Sequence, residues 1–109
     1  ELLIDAGADV NLSGQHGNTP LHSASRNGNE TLVKRLLSSG AKVNERNENG
    51  ETALIISSEE GNNFIVAVLI DAGADVSCAD LAGHTALYYA TEGGFNDIVE
   101  KLLIAGAES

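Results

Sequence analysis

Tryptophan and methionine are absent, and aromatic residues make up only 4% of the 109 residues. A core must then be built from Leu, Ile, Val and Ala, which suits closely packed thin helices better than a large ligand cavity. The single cysteine, Cys78, excludes an intrachain disulfide and a cysteine-rich zinc site. Cations are scarce: 6 Lys+Arg face 16 Asp+Glu, for a formal net charge of −10. That balance argues against nucleic-acid binding through counterion release, and against an anionic-membrane anchor. The longest apolar run, residues 64–70, has 7 residues, far short of the ~20 that span a membrane. No basic segment leading into an apolar one marks a signal peptide. The chain begins at Glu1 and contains no Met, so it is expected to be an excised or processed piece. A missing targeting signal then says little about the parent.

Glycine, by contrast, is plentiful and regular. Gly7, Gly40, Gly73 and Gly106 are spaced by 33, as are Gly17, Gly50 and Gly83, and Gly28, Gly61 and Gly94. Only Gly14 and Gly93 fall outside these three series. The words around them repeat as well. Leu-Ile-Asp-Ala-Gly-Ala-Asp-Val occurs at 3–10 and at 69–76, with variants at 36–43 and 102–108. Gly-Asn-Thr-Pro-Leu (17–21), Gly-Glu-Thr-Ala-Leu (50–54) and Gly-His-Thr-Ala-Leu (83–87) form the second series. A fixed period of this length predicts a linear array of stacked units. The chain divides into the end of a preceding unit at 1–10 and full periods at 11–43, 44–76 and 77–109.

Within each period the pattern predicts helix, turn, helix, loop. Thr19, Thr52 and Thr85 stand where a hydroxyl can accept a free backbone N–H at a helix start. Pro20, the sole proline, follows at a first helical position, where its missing N–H costs nothing. First helices are expected over 20–27, 53–60 and 86–93, ended by Gly28, Gly61 and Gly94. Second helices are expected over 30–39, 63–72 and 96–105. Their apolar residues keep helical spacing, as in Leu32, Val33, Leu36 and Leu37 and their equivalents. The polar segments 41–51 and 74–84 read as projecting turns.

The run Gly17-Asn-Thr-Pro-Leu-His-Ser-Ala24, followed by Gly28, Leu36-Leu37 and Gly40-Ala-Lys-Val-Asn44, resembles the ankyrin repeat. Three copies in register make the resemblance specific, and it covers the whole chain. It implies an all-α ankyrin-repeat solenoid of helix-turn-helix units with projecting β-turn loops. Departures exist. Thr-Pro-Leu-His is intact only at 19–22 and becomes Thr-Ala-Leu-Ile at 52–55 and Thr-Ala-Leu-Tyr at 85–88. The turn-starting aspartate is kept as Asp80 but replaced by Gly14 and Asn47. These changes are expected to weaken local hydrogen bonding in the second and third units without threatening the fold.

Catalytic readings find little support. The resemblance gives His22 a structural role in the turn. His16, His84, Asp80 and Cys78 lack the spacing of a metal site, and neither a nucleophile motif nor a phosphate-binding loop is present. No catalytic residue, cofactor or metal is therefore expected, and no enzyme activity. Asn11 closes Asp9-Val10-Asn11, and the resemblance makes it a candidate for asparaginyl hydroxylation. Asparagines there also tie down the turn by side-chain to backbone hydrogen bonds.

The resemblance further implies a concave binding face of turn tips and first helices. Its positions here are Gln15, His16, Asn18, Ser23 and Arg26 in the first period. In the second they are Glu48, Glu51, Ile56, Glu59 and Glu60, and in the third Leu81, His84, Tyr89 and Glu92. Ile56 and Tyr89 form an expected hot-spot pair. Residues 11–43 carry a charge of +3, 44–76 one of −6, 77–109 one of −4, and 1–10 one of −3. The glutamates of the middle unit favour a protein or peptide partner with a basic patch. A non-catalytic protein–protein interaction module is expected, in an intracellular, cytoplasmic setting with the nucleus as an alternative, as part of a longer repeat array. The rival reading is a regulatory or substrate-recruiting segment of a larger enzyme or channel.

Overall fold

In the computed structural model the described residues are 11 and 13–106. The unit end assigned to 1–10 and the last three residues of the third period lie outside them. Six α-helices follow a short 3₁₀ turn at Gln15–Gly17: α1 (Pro20–Asn27), α2 (Glu30–Ser38), α3 (Ala53–Glu60), α4 (Asn63–Asp71), α5 (Ala86–Glu92) and α6 (Asn96–Ile104). Among the described residues there is no strand, and one isolated bridge pairs Ala79 with Thr85. The all-α expectation therefore holds, with helix ends within one residue of the sequence reading.

Threonine starts each first helix. The side chains of Thr19, Thr52 and Thr85 accept from the backbone N–H groups of His22, Ile55 and Tyr88. Asn29 and Asn62 do the same for α2 and α4, accepting from Leu32 and Ile65 at 3.1 and 3.0 Å. Phe95 takes that position before α6 and makes no side-chain cap. Its ring lies over Gly61 and Gly93 instead, and a Cβ built on either glycine would stand less than 3 Å from ring atoms. Gly93, outside the 33-residue series, is thus explained by close approach: it clears space for an aromatic ring that replaces an asparagine cap.

Helices stack in two rows. α1 packs on α3 and α3 on α5, while α2 packs on α4 and α4 on α6. Each row adds burial because every unit covers the next. Leu36, Leu69 and Leu102, equivalent by register, are all at most 1% exposed. Ser57 stands where the other units have Ala24 and Ala90; it is fully buried and donates its hydroxyl to the Leu54 carbonyl at 3.1 Å. A small side chain is what that close helix approach admits.

The turns are laced from unit to unit. Glu48 N–H donates to the His16 carbonyl, and Leu81 N–H to the Asn49 carbonyl, both at 3.0 Å. The Arg46 guanidinium donates to the Ala79 carbonyl at 2.6 Å. Asn11 and Asn44 repeat one device: each side-chain oxygen accepts at 2.7 Å from a backbone N–H near the end of its own period, Lys42 and Asp75 respectively. Their amide nitrogens donate to the Gly40 and Gly73 carbonyls. The turn-tying role expected of Asn11 is therefore built in this structure.

Loss of hydrogen bonding falls differently from the sequence expectation. Asn47 preserves the turn of unit 2, its oxygen accepting from Asn49 and Glu51 N–H as Asp80 accepts from Ala82 and His84. Unit 1, with Gly14, has no such acceptor. Its Gly14–Asn18 backbone bond survives at 2.8 Å, but the turn tightens into 3₁₀ geometry with His16 at φ +59°. Units 2 and 3 lose the histidine half of the helix cap, which is complete only at Thr19 and His22.

Candidate protein-recognition surface

The face built from the turns and α1, α3 and α5 carries fourteen positions singled out from the sequence, and burial sorts them. Gln15, His16, Ser23, Arg26, Glu48, Glu59, Glu60, Leu81 and Glu92 are exposed; Asn18, Glu51, His84 and Tyr89 are half-buried. Ile56 is the correction: it is 0% exposed. It sits on α3, the middle first helix, which packs against both α1 and α5. It offers nothing to a partner, and the expected Ile56–Tyr89 hot-spot pair is not formed.

Charge on this face is partly paired. Arg26, from α1, reaches Glu51 in the next turn at 3.3 Å and Glu60 at the end of α3 at 3.7 Å. Glu51 also accepts from the Asn47 amide, and that amide donates on to Asn18. Among the described residues, Glu48 and Glu59 make no ion pair. Partial burial raises the Glu59 carboxyl above its usual range, and the neighbouring Glu51, Glu60 and Asp80 charges add to this against Arg26. A cation arriving there would relieve that repulsion.

An aromatic cluster closes the far end. The His84 and Tyr88 rings stack with centroids 3.8 Å apart and planes 8° apart. Tyr89 meets both edge-on, at 5.6 and 5.3 Å. Its hydroxyl donates to Asp80 at 2.5 Å. Tyr88 was not among the sequence candidates. It occupies the histidine position of the repeat, where His22 and Ile55 are 1% exposed, yet it is 41% exposed itself. The one sequence signal was an aromatic residue at that position.

Asp80 joins turn to helix. Burial would push its carboxyl up, but the bonds from Tyr89, His84 and Ala82 outweigh that and hold its pKa below the usual value. Tyr89, in turn, is pushed well above the ordinary phenol range, first by its bond to the Asp80 carboxylate. Because the folded pKa of Asp80 is depressed, its contribution is complete above about pH 4 and is lost as the pH falls through the folded value. Tyr89→Phe is expected to cost about 1.5 kcal/mol near neutrality, the low end for a bond to a charged group. The difference in stability between wild type and variant should then shrink as the pH falls below about 4. Chemical denaturation across that range checks it, and a difference that stays constant would refute the linkage. Taking the difference cancels the opposing contribution of Glu59.

His22 is buried at 1% exposure and serves structure, as expected. Its Nδ1 accepts from Thr19 N–H at 2.9 Å, which leaves the proton on Nε2 to donate to the Glu51 carbonyl of the next unit at 2.8 Å. Burial lowers its pKa below 6.5 despite the bonds that oppose the shift. Cys78 is half-buried beside Asp75, and burial followed by that carboxylate raises its thiol pKa, which keeps it a weak nucleophile. Among the described residues no group of three metal-ligating side chains converges, and no helix is long and apolar enough to cross a membrane.

Comparison with known proteins agrees with this architecture. The family model for ankyrin repeats in three copies matches residues 1–47 and 26–109. A curated relative, the ADP-ribosylation factor GTPase-activating protein AGD2 of Arabidopsis thaliana, is 49% identical over 37 residues. That stretch is 34% of this chain and 5% of the relative, so the likeness concerns a small part of a much longer protein. With the whole chain spanned by the family model, the 33-residue period, the paired helices and the laced turns are those of its repeat, and the chain belongs to the ankyrin-repeat family.

Proposed function

We propose that this chain is a non-catalytic recognition module whose turn and first-helix face binds a partner protein or peptide through a basic patch, in an intracellular setting. One observation carries the partner's chemistry. Arg26 satisfies Glu51 and Glu60, while Glu48 and Glu59 on the same face have no cation of their own among the described residues. The core is held by other positions, so these side chains are free to be used. A lysine or arginine set against Glu59 would gain a charge-assisted bond beside the Tyr89 ring.

The test begins with selection of peptides from a random display library on the folded chain. Lys- and Arg-rich sequences should be enriched. Glu59→Lys combined with Glu60→Lys should slow association of a selected peptide at least ~10-fold and flatten its salt dependence, because such charges steer encounter. Glu100→Lys, on the exposed part of α6, is the control for a charge change alone and should leave the rate within about 2-fold. Enrichment of acidic or uncharged peptides, or equal loss in the control, contradicts the reading.

A second reading has its own support. The 37-residue match lies within a far longer GTPase-activating protein. On that reading the repeats recruit substrates to, or regulate, a catalytic domain elsewhere in a larger polypeptide. The recognition face is the same in both cases.

A further inference from the structure

We infer that the recognition face reads a second feature of its partner: a polyproline II segment in which an apolar residue, seated on Leu81, stands three residues from a lysine or arginine seated at Glu48. The inference rests on the basic-partner reading above and adds a specificity determinant to it. Leu81 is 75% exposed at the tip of the turn in unit 3 and takes no part in the apolar core. By register it follows Gln15 and Glu48 at steps of 33, and both of those are exposed although a further unit is stacked beyond each. Exposure there is a property of the turn tip, whatever lies above it. A leucine that the fold leaves in water gains from being covered by apolar surface of a partner.

Two sets of contacts fix Leu81 beside Glu48. Leu81 N–H donates to the Asn49 carbonyl just as Glu48 N–H donates to the His16 carbonyl, both at 3.0 Å. The side chains lie back in the same way. Leu81 Cγ would stand 3.2 Å from a Cβ built on Gly50, and Glu48 Cγ 3.2 Å from one built on Gly17. Gly17 and Gly50 are one period apart, so the two side chains follow each other along the row of tips by one stacking step. One is apolar and the other is a carboxylate with no ion pair among the described residues. Arg46 sets the order of the two seats. Its guanidinium, held by the Gly50 and Ala79 carbonyls, borders Gly50 as Leu81 does. A partner's cation brought to Leu81 would meet that like charge, whereas at Glu48 it meets a carboxylate.

The stacking step sets the spacing. Packed helices lie about 8–10 Å apart, and the first helices of successive units pack directly, α1 on α3 and α3 on α5. A polyproline II helix rises about 3.1 Å per residue with three residues per turn, so residues i and i+3 share a face about 9 Å apart. A β-strand puts i and i+3 on opposite faces, and its same-face neighbours i and i+2 are only about 7 Å apart. A Lys-x-x-Leu or Leu-x-x-Lys pair in polyproline II form therefore reaches both seats at once.

Three fluorescein-labelled, proline-rich peptides of equal length test this: one carries Lys-Pro-Pro-Leu, one Lys-Pro-Pro-Ser and one Lys-Pro-Leu-Pro. Fluorescence anisotropy at low salt, with the folded chain titrated to about 1 mM, covers the range of so short an anchor pair. The first peptide should bind about 5-fold tighter than either of the others, the gain from partial burial of one leucine. In Leu81→Ser, which keeps the backbone bond to Asn49, that advantage should fall to within about 2-fold while Lys-Pro-Pro-Ser binds as before. Glu48→Gln should weaken all three peptides by about 3-fold, as loss of an exposed ion pair does. Circular dichroism and thermal melts confirm that both variants fold. Equal binding of the three peptides, an advantage that survives Leu81→Ser, or no response to Glu48→Gln would overturn the proposal and leave salt-dependent basic-partner binding standing. Binding of none of the three would overturn both.

Discussion

Leu69→Ala is expected to destabilise the chain by roughly 2–5 kcal/mol, the range for truncating a buried leucine and leaving a cavity. Leu69 is 0% exposed and lies on α4, the second helix of the middle unit, which packs against both α2 and α6. A residue at that place loses contacts on both sides, and neither neighbour can collapse into the gap without leaving its own partner. Domains of this size have a total stability of about 5–15 kcal/mol, so the substitution removes a large share. The melting temperature should fall by roughly 10–20 °C. A loss below about 1 kcal/mol would mean that Leu69 does not face the core.

His22→Ala should be nearly as damaging, at about 2–3 kcal/mol, for a different reason. The imidazole fills buried volume, accepts from Thr19 N–H and donates across the unit boundary to the Glu51 carbonyl. Removing it orphans the buried Thr19 N–H, at about 1–3 kcal/mol, and takes one of two bonds from the part-buried Glu51 carbonyl, which keeps the Asn47 N–H. The effect should also depend on pH. Because the folded pKa is depressed, the neutral ring's contribution is complete above about pH 6.5 and declines as the pH falls through the folded value. Denaturation midpoints at pH 7.5 and pH 5 should therefore converge between wild type and variant. If they do not, the protonated ring is tolerated in the fold and the tautomer assignment is wrong.

The architecture was legible because its physics is repeated three times. A threonine, a helix-ending glycine and a leucine every 33 residues each say little alone; in phase they leave one arrangement in which every apolar stripe finds a partner. What escaped the sequence lies where the repeat is broken or where position in the stack matters. Ile56 and Tyr89 are equivalent by register, but Ile56 sits between two neighbouring helices and vanishes, whereas Tyr89 in the last unit remains half-exposed. Periodicity assigns the same environment to both and cannot see the difference. Gly93 falls outside the 33-residue series, and its dependence on Phe95 shows only once the ring is placed over the missing Cβ. Of the candidate surface, the composition was readable but the wiring was not. That Arg26 pairs with two glutamates and not with Glu59 depends on side chains from adjacent units meeting across the groove.

Hydrogen exchange of the chain alone and with a selected basic peptide at saturation tests the recognition face most directly. The prediction is slowed exchange in the turns at 46–51 and 79–84 and in α3 and α5, with α2, α4 and α6 unchanged. Protection confined to the second helices, with those turns and first helices unaffected, would place the partner on the opposite side and contradict the account.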